Sequence, residues 1–162
     1  MRTASPPTAV TEATVLPAFN ALLYRGGTGR TGKFNVPRME AAVEVQWQQE
    51  VGPSVHGSPL LVGNTLLVPT VTRRFVALDA TSGEEKWIFE ASGDLFSSPA
   101  VMDEVVYIGN ENGNLYALDL DTGSELWSLE LGSGIWTAPL VLDENVYVGS
   151  QTGSVYAVNT KT

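Results

Sequence analysis

The sequence predicts an all-β fold, a β-propeller of three four-stranded antiparallel blades, because one pattern recurs at a fixed interval and each copy of it reads as four strands. Trp47, Trp87 and Trp127 stand 40 residues apart, each followed three residues later by Glu50, Glu90 or Glu130. Pro59, Pro99 and Pro139 keep the interval, as do Ala77, Ala117 and Ala157. No insertion disturbs the register. A β-sandwich is the structural competitor, but sandwiches show regular strands without a strict period of this kind.

The second unit justifies the strands one by one. Ser98–Met102, Val105–Gly109, Asn114–Asp119 and Glu125–Leu131 are short and rich in β-branched and aromatic residues, with turn residues between them. Asp103-Glu104 and Asn112-Gly113 supply two hairpin turns, the latter able to take the positive φ angles that tight hairpins need. Asp121-Thr122-Gly123 supplies the third, with Gly in the left-handed position and Asp or Thr bonding local backbone. Leu115 and Ala117 alternate with Tyr116 and Leu118, so both faces of that strand are apolar, as in a sheet packed between two others. Val43–Glu50 aligns with the outer, Trp-bearing strand of a blade. The last unit ends before its own turn Gly and outer strand. The count is therefore one outer strand, two sets of four and one set of three.

These units resemble the PQQ-like (pyrroloquinoline-quinone-type) propeller repeat family. The likeness rests on Ser98-Pro99-Ala100-Val101, Val106-Tyr107-Ile108-Gly109, Gly113-Asn114-Leu115-Tyr116-Ala117-Leu118-Asp119 and Thr122-Gly123-Ser124-Glu125-Leu126-Trp127. The third unit repeats most of it, in Ala138-Pro139, Val146-Tyr147-Val148-Gly149-Ser150 and Gly153-Ser154-Val155-Tyr156-Ala157. The first unit departs, with Leu67 and Pro69 where the others have Tyr and Gly, and Arg73-Arg74 where they have Gly-Asn or Gly-Ser. Tyr24-Arg25-Gly26-Gly27 with Arg30-Thr31-Gly32 is similar to the lead-in that precedes the first blade in this family. The domain reading is an irregular extension and lead-in over residues 1–42, then three repeats over 43–162, truncated at the C-terminus. The resemblance implies a ring of seven or eight blades, so the chain reads as part of a larger propeller. It also implies that Trp47, Trp87 and Trp127 pack structurally between adjacent blades.

Charge and composition narrow the partners. From Trp47 onward 15 acidic residues face 4 basic ones, a net of −11, whereas residues 1–46 carry a net of +2. So acidic a repeat region repels phosphate backbones, and no nucleic-acid partner is expected. There is no cysteine, which excludes disulfides, thiolate metal sites and thiol nucleophiles. No apolar run approaches the ~20 residues of a membrane span. Pro6, Pro7, Glu12 and Pro17 interrupt any signal-peptide core, so the extracytoplasmic location, periplasmic or cell-surface, is implied by the resemblance alone.

Motifs that suggest chemistry have simpler readings. Gly27-Thr28-Gly29-Arg30-Thr31-Gly32-Lys33 has phosphate-loop spacing, but Phe34 replaces the Ser/Thr that would hold Mg²⁺ and Pro37 blocks the following helix. Asp119-Leu120-Asp121-Thr122-Gly123 has too few oxygen ligands for a calcium loop and is accounted for as a hairpin turn. His56, the only histidine, has Phe96 and Trp136 as repeat equivalents, just before the innermost strands, and the three read as channel-rim residues. Quinoprotein dehydrogenases of this fold hold their quinone on a Trp floor with Ca²⁺ bound by Glu, Asn and Asp. This chain carries no recognisable set of that kind, so no catalytic residue, metal or cofactor is expected. The function expected is a non-catalytic binding or scaffold module of the non-enzymatic branch, with protein partners. The alternative is a piece of a quinoprotein dehydrogenase whose catalytic blades lie elsewhere. Open apolar faces, Leu66, Val68 and Val76 on the first sheet and Tyr147, Val155 and Ala157 on the last, lead to an expectation of self-association.

Overall fold

A computed structural model describes residues 44–161. The expected extension and lead-in over residues 1–42 lie outside the described residues. Eleven strands form three antiparallel sheets, and no helix occurs among the described residues. The first sheet is β1 (Leu60–Val62), β2 (Thr65–Pro69), β3 (Arg74–Asp79) and β4 (Glu85–Glu90), in that spatial order. The second is β5 (Ala100–Met102), β6 (Val105–Gly109), β7 (Asn114–Asp119) and β8 (Glu125–Glu130). The third has β9 (Leu140–Leu142), β10 (Asn145–Gly149) and β11 (Val155–Asn159), with β11 at its edge. In the second sheet two strands match the sequence reading at both ends; the innermost begins two residues later, because Ser98 and Pro99 belong to the connector.

Turn chemistry sets these boundaries. Asp103 and Glu104 turn at φ 49° and 64°, and Gly113 at 88°. The third turn is held by the strand before it. The Asp119 carboxylate accepts hydrogen bonds from the Thr122 amide at 2.8 Å and the Thr122 hydroxyl at 2.7 Å. Asp79 does the same for the Thr81 and Ser82 amides, at 2.9 and 3.0 Å. These bonds favour the charged form, so the side-chain and backbone bonds of Thr122 hold the Asp119 carboxyl below its usual range, and the Ser82 and Thr81 amides do so for Asp79.

The sheets stack face to face through two apolar layers. Leu67, Phe75 and Trp87 of the first sheet meet Val106, Ile108 and Leu118 of the second. Tyr107, Leu115 and Ala117 of the second meet Val146, Val148 and Ile135 of the third unit. Strand β7 thus buries both faces, Tyr116 and Leu118 toward one neighbour, Leu115 and Ala117 toward the other.

Two tryptophans reach forward to the turn of the following unit. Trp87 Nε1 donates to the Leu120 carbonyl at 3.0 Å, and its ring lies on Gly123, where an added Cβ would come within 2.4 Å of Cε3. Trp47 Nε1 donates to the Ala80 carbonyl at 3.0 Å, and its ring lies on Gly83 in the same way. Those glycines meet two demands at once, a left-handed φ (69° and 78°) and a flat seat for the indole. Trp127 is half-buried, 6.0 Å from the Tyr107 ring.

Two expectations change at the N-terminal edge. Residues 44–50, read as an outer strand, pair with no strand among the described residues. The first sheet's far face is also not open. Val68 and Val76 are buried there with Val51, and Trp47 and Leu66 pack against them. The physical reason the face is covered is the forward reach of the indole: the Trp47 ring lies on Gly83 and packs over Val68 and Val76.

Replacing Trp87 with Ala is expected to cost about 3–5 kcal/mol of stability in denaturant unfolding, the range for a buried aromatic. For Asp119→Ala the effect on melting temperature should depend on pH. A lowered folded-state pKa gives a contribution that is complete above the usual carboxylate range and lost as pH falls through the folded value. The wild-type and mutant melting temperatures should therefore differ near neutrality and converge only as pH falls below the usual carboxylate range.

Candidate functional site

The connector that precedes each innermost strand is built from the same parts. In the second and third units its apolar residue turns inward, with Leu95 and Ile135 fully buried, whereas their first-unit equivalent Val55 is exposed. Backbone bonds then tie it to the β2–β3-type loop at the same end of the sheet. Val71 N donates to Ser54 O at 3.0 Å, Glu111 N to Asp94 O at 3.0 Å and Gln151 N to Gly134 O at 2.9 Å. Asp94 N in turn donates to Glu111 Oε1 at 3.4 Å, which places two carboxylates at this end.

One residue past the buried anchor the side chain points away from it, and there the three channel-rim candidates form a continuous row. The His56 and Phe96 rings lie 5.6 Å apart and perpendicular. The Phe96 and Trp136 rings lie 5.0 Å apart, tilted by 43°. Both separations fall in the range of attractive aromatic pairs. His56 is exposed, Phe96 half-buried, and Trp136 52 % exposed. Trp47, Trp87 and Trp127 are not part of this row.

The next residue fixes the row to the sheets. Ser97 is fully buried; its hydroxyl donates to Gly109 O at 2.8 Å and accepts from Gly109 N at 3.1 Å. Thr137 repeats this on Gly149, at 3.1 and 3.0 Å. In the first unit the pair is replaced by Gly57 and Pro69. Pro69 has no N–H to be bonded, and its ring fills the volume of the missing side chain, since an added Cβ on Gly57 would lie 2.6 Å from Pro69 Cγ. Sequence reasoning noted Pro69 only as a departure. The signal was present, because residues 57, 97 and 137 vary together with residues 69, 109 and 149 at the repeat interval. A second clamp supports the connector of the middle unit: Asn110, fully buried, donates to Ser92 Oγ at 3.0 Å and Tyr116 OH at 3.3 Å.

The chemistry such a row offers is stacking and cation–π contact on a rigid base. Among the described residues no group of three or more His, Cys, Asp or Glu could hold a metal ion. A cavity of about 580 Å³ lies at the other end of the blades, lined by Met102, Tyr107, Trp127, Asp143, Glu144 and Lys161. It occupies the place where, one unit earlier, Trp87 meets its turn, and so belongs to the packing between sheets.

Residues 97–162 match the model of a family described as outer membrane protein assembly factor BamB. No curated protein sequence matches the chain. Among solved structures, BamB from Moraxella catarrhalis aligns with TM-score 0.63 and 23 % identity, over 72 % of this chain and 37 % of that one. A quinohemoprotein alcohol dehydrogenase, ADHIIG from Pseudomonas putida HK5, aligns with TM-score 0.63 and 23 % identity, over 72 % of this chain and 20 % of that one. The computationally designed protein Ika4 aligns with TM-score 0.57 and 18 % identity, over 62 % of this chain and 63 % of that one. The chain thus spans about a third and a fifth of the two natural proteins.

Ser97→Ala should destabilise the chain by about 1–3 kcal/mol, because it leaves the Gly109 N–H and C=O without their partner in a buried place. Ser97→Thr should restore most of the loss, as Thr137 does one unit later; equilibrium urea unfolding of the three chains gives both values.

Three sheets of the expected topology, a shared 40-residue period and the likeness to solved structures lead to one conclusion: this is a stretch of β-propeller, whose residues 97–162 match a PQQ-like repeat family.

Proposed function

We propose that this chain is a non-catalytic binding or scaffold module that takes protein partners on the end of the blades bearing His56, Phe96 and Trp136. The observation that carries the reading is Trp136, a large aromatic ring half exposed at the end of a stacked row, on a backbone tied to Gly149 by the Thr137 hydroxyl. An aromatic held rigidly at a surface loses little conformational entropy on binding, which is why such residues dominate interaction energies. The likeness of residues 97–162 to an outer membrane assembly factor supports protein partners and an extracytoplasmic setting. In this reading Trp47, Trp87 and Trp127 are structural, residues 43–162 are three repeats preceded by a lead-in over 1–42, and the array is part of a propeller of seven or eight blades.

A second reading, a piece of a quinoprotein dehydrogenase, is supported by the equal structural likeness to ADHIIG. In that reading the blades that hold the quinone and its divalent cation lie outside this chain.

Titration with a urea-unfolded outer-membrane β-barrel polypeptide, read by Trp fluorescence, separates the readings. Saturable binding is expected, and Trp136→Ala should weaken it at least about tenfold without lowering the melting temperature. Binding unchanged by Trp136→Ala and Phe96→Ala would remove the aromatic row from the proposal. Saturable quenching by pyrroloquinoline quinone with Ca²⁺, and none by the polypeptide, would favour the dehydrogenase reading instead.

A further inference from the structure

The middle unit differs from its neighbours at the joint between connector and β2–β3-type loop. All three units make the same backbone bond there, Val71 N to Ser54 O, Glu111 N to Asp94 O and Gln151 N to Gly134 O. Only the middle unit places acidic side chains at it. Ser54 with Val71, and Gly134 with Gln151, make the joint without any charge, so the carboxylates of Asp94 and Glu111 are not what forms it. They are nonetheless brought together, because Asp94 N also donates to Glu111 Oε1 at 3.4 Å. The ion pairs among the described residues join Arg74 with Glu85, Lys86 with Asp79 and Lys161 with Glu144, and none of them reaches Asp94 or Glu111. Like charges held side by side without a basic partner repel, and a cation brought between them relieves that repulsion.

The pair is tied to the aromatic row through the connector. Asp94 and Phe96 flank Leu95; Leu95 is fully buried and its two neighbours stay partly exposed. Phe96 is the central ring, 5.6 Å from His56 on one side and 5.0 Å from Trp136 on the other. It belongs to the middle unit, which has another unit on each side. The rings stand perpendicular or tilted by 43°, so the row is no flat platform for a stacked planar group. A long side chain with an apolar stem and a charged head suits it better, the stem against an aromatic ring and the head at the carboxylates. In the first unit the equivalent loop carries Arg73, exposed and of opposite charge, so the row favours a cation at one position along its length.

On the reading that the row takes protein partners, we propose that the partner segment presents a cationic side chain, arginine or lysine, to the middle unit. Its alkyl stem lies along Phe96 and its charge meets Asp94 and Glu111.

Two acetylated, amidated peptides serve as probes, Gly-Leu-Arg-Leu-Gly and the same sequence with citrulline, a neutral isostere, in place of arginine. Titrated at low salt and read by Trp fluorescence, the arginine peptide should bind at least about fivefold more tightly. The difference should shrink as salt is added. Asp94→Asn combined with Glu111→Gln should abolish it with an unchanged melting temperature, since the backbone joint remains and Gln151 already stands at the equivalent place in the third unit. Asp121→Asn, which removes an exposed carboxylate from the turn at the other end of the same sheet, should leave it intact. A difference that survives the double substitution, or falls equally with Asp121→Asn, overturns the proposal in favour of general attraction to an acidic chain. Equal binding of the two peptides overturns it too. If the outer-membrane polypeptide still binds in a Trp136-dependent way, the row stands as a protein-binding surface and only the cation is lost. If that polypeptide does not bind either, the reading of the row falls as well.

Discussion

The fold depends on one recurring contact, a tryptophan indole laid on the left-handed glycine of the following turn with its N–H bonded to a carbonyl there. Trp47 with Ala80 and Gly83, and Trp87 with Leu120 and Gly123, are the two complete cases. The contact spans 33 residues, so it links one unit to the next rather than closing a unit on itself. It also explains why the turn must contain glycine. A side chain there would strain the backbone and displace the ring, and the apolar layer beneath would lose its lid. Trp87, laid on Gly123, is buried.

Rigidity at the candidate site comes from a different set of bonds. The aromatic row sits on connectors, the segments of a propeller best suited to carry recognition because they vary without disturbing the sheets. Here they are not loose. Ser97 and Thr137 bridge both backbone groups of a strand-end glycine, and backbone bonds join each connector to its neighbouring loop. The carboxylates of Asp94 and Glu111 lie at the same end of the sheet as the row.

Most of the architecture was legible in the sequence because the repeat supplies its own internal controls. The ranges of β6 and β7 and the hairpin at Asp103-Glu104 follow from alternation and turn residues, which act locally. Two features were not legible, each for a physical reason. Residues 44–50 carry the pattern of an outer strand, but strand pairing needs a partner at the right distance, and pattern alone does not supply one. The burial of Val68 and Val76 under Val51 and Trp47 depends on how far an indole reaches across a layer, which spacing does not encode. At the site, the positions of His56, Phe96 and Trp136 could be read from the period, but their ring-to-ring contact could not, because it depends on the rotation between successive sheets. The carboxylates of Asp94 and Glu111 beside that row went unread, since each looks alone like a solvated loop charge.

The exchange of Gly57 and Pro69 for Ser97 and Gly109 bears on how such an array can be rearranged. Each pair lies within one unit, separated by 12 residues. Moving a whole unit carries both members and keeps the fit. A crossover that falls between them creates either a serine facing a proline, with a collision and no N–H to accept from, or a glycine facing a glycine, with a void and two orphaned backbone groups. Recombination between neighbouring units, in nature or in a designed chimera, is therefore tolerated at the connectors before residue 57 or its equivalents and penalised across the two innermost strands. The array has preferred cut points, and they coincide with the boundaries of the repeat.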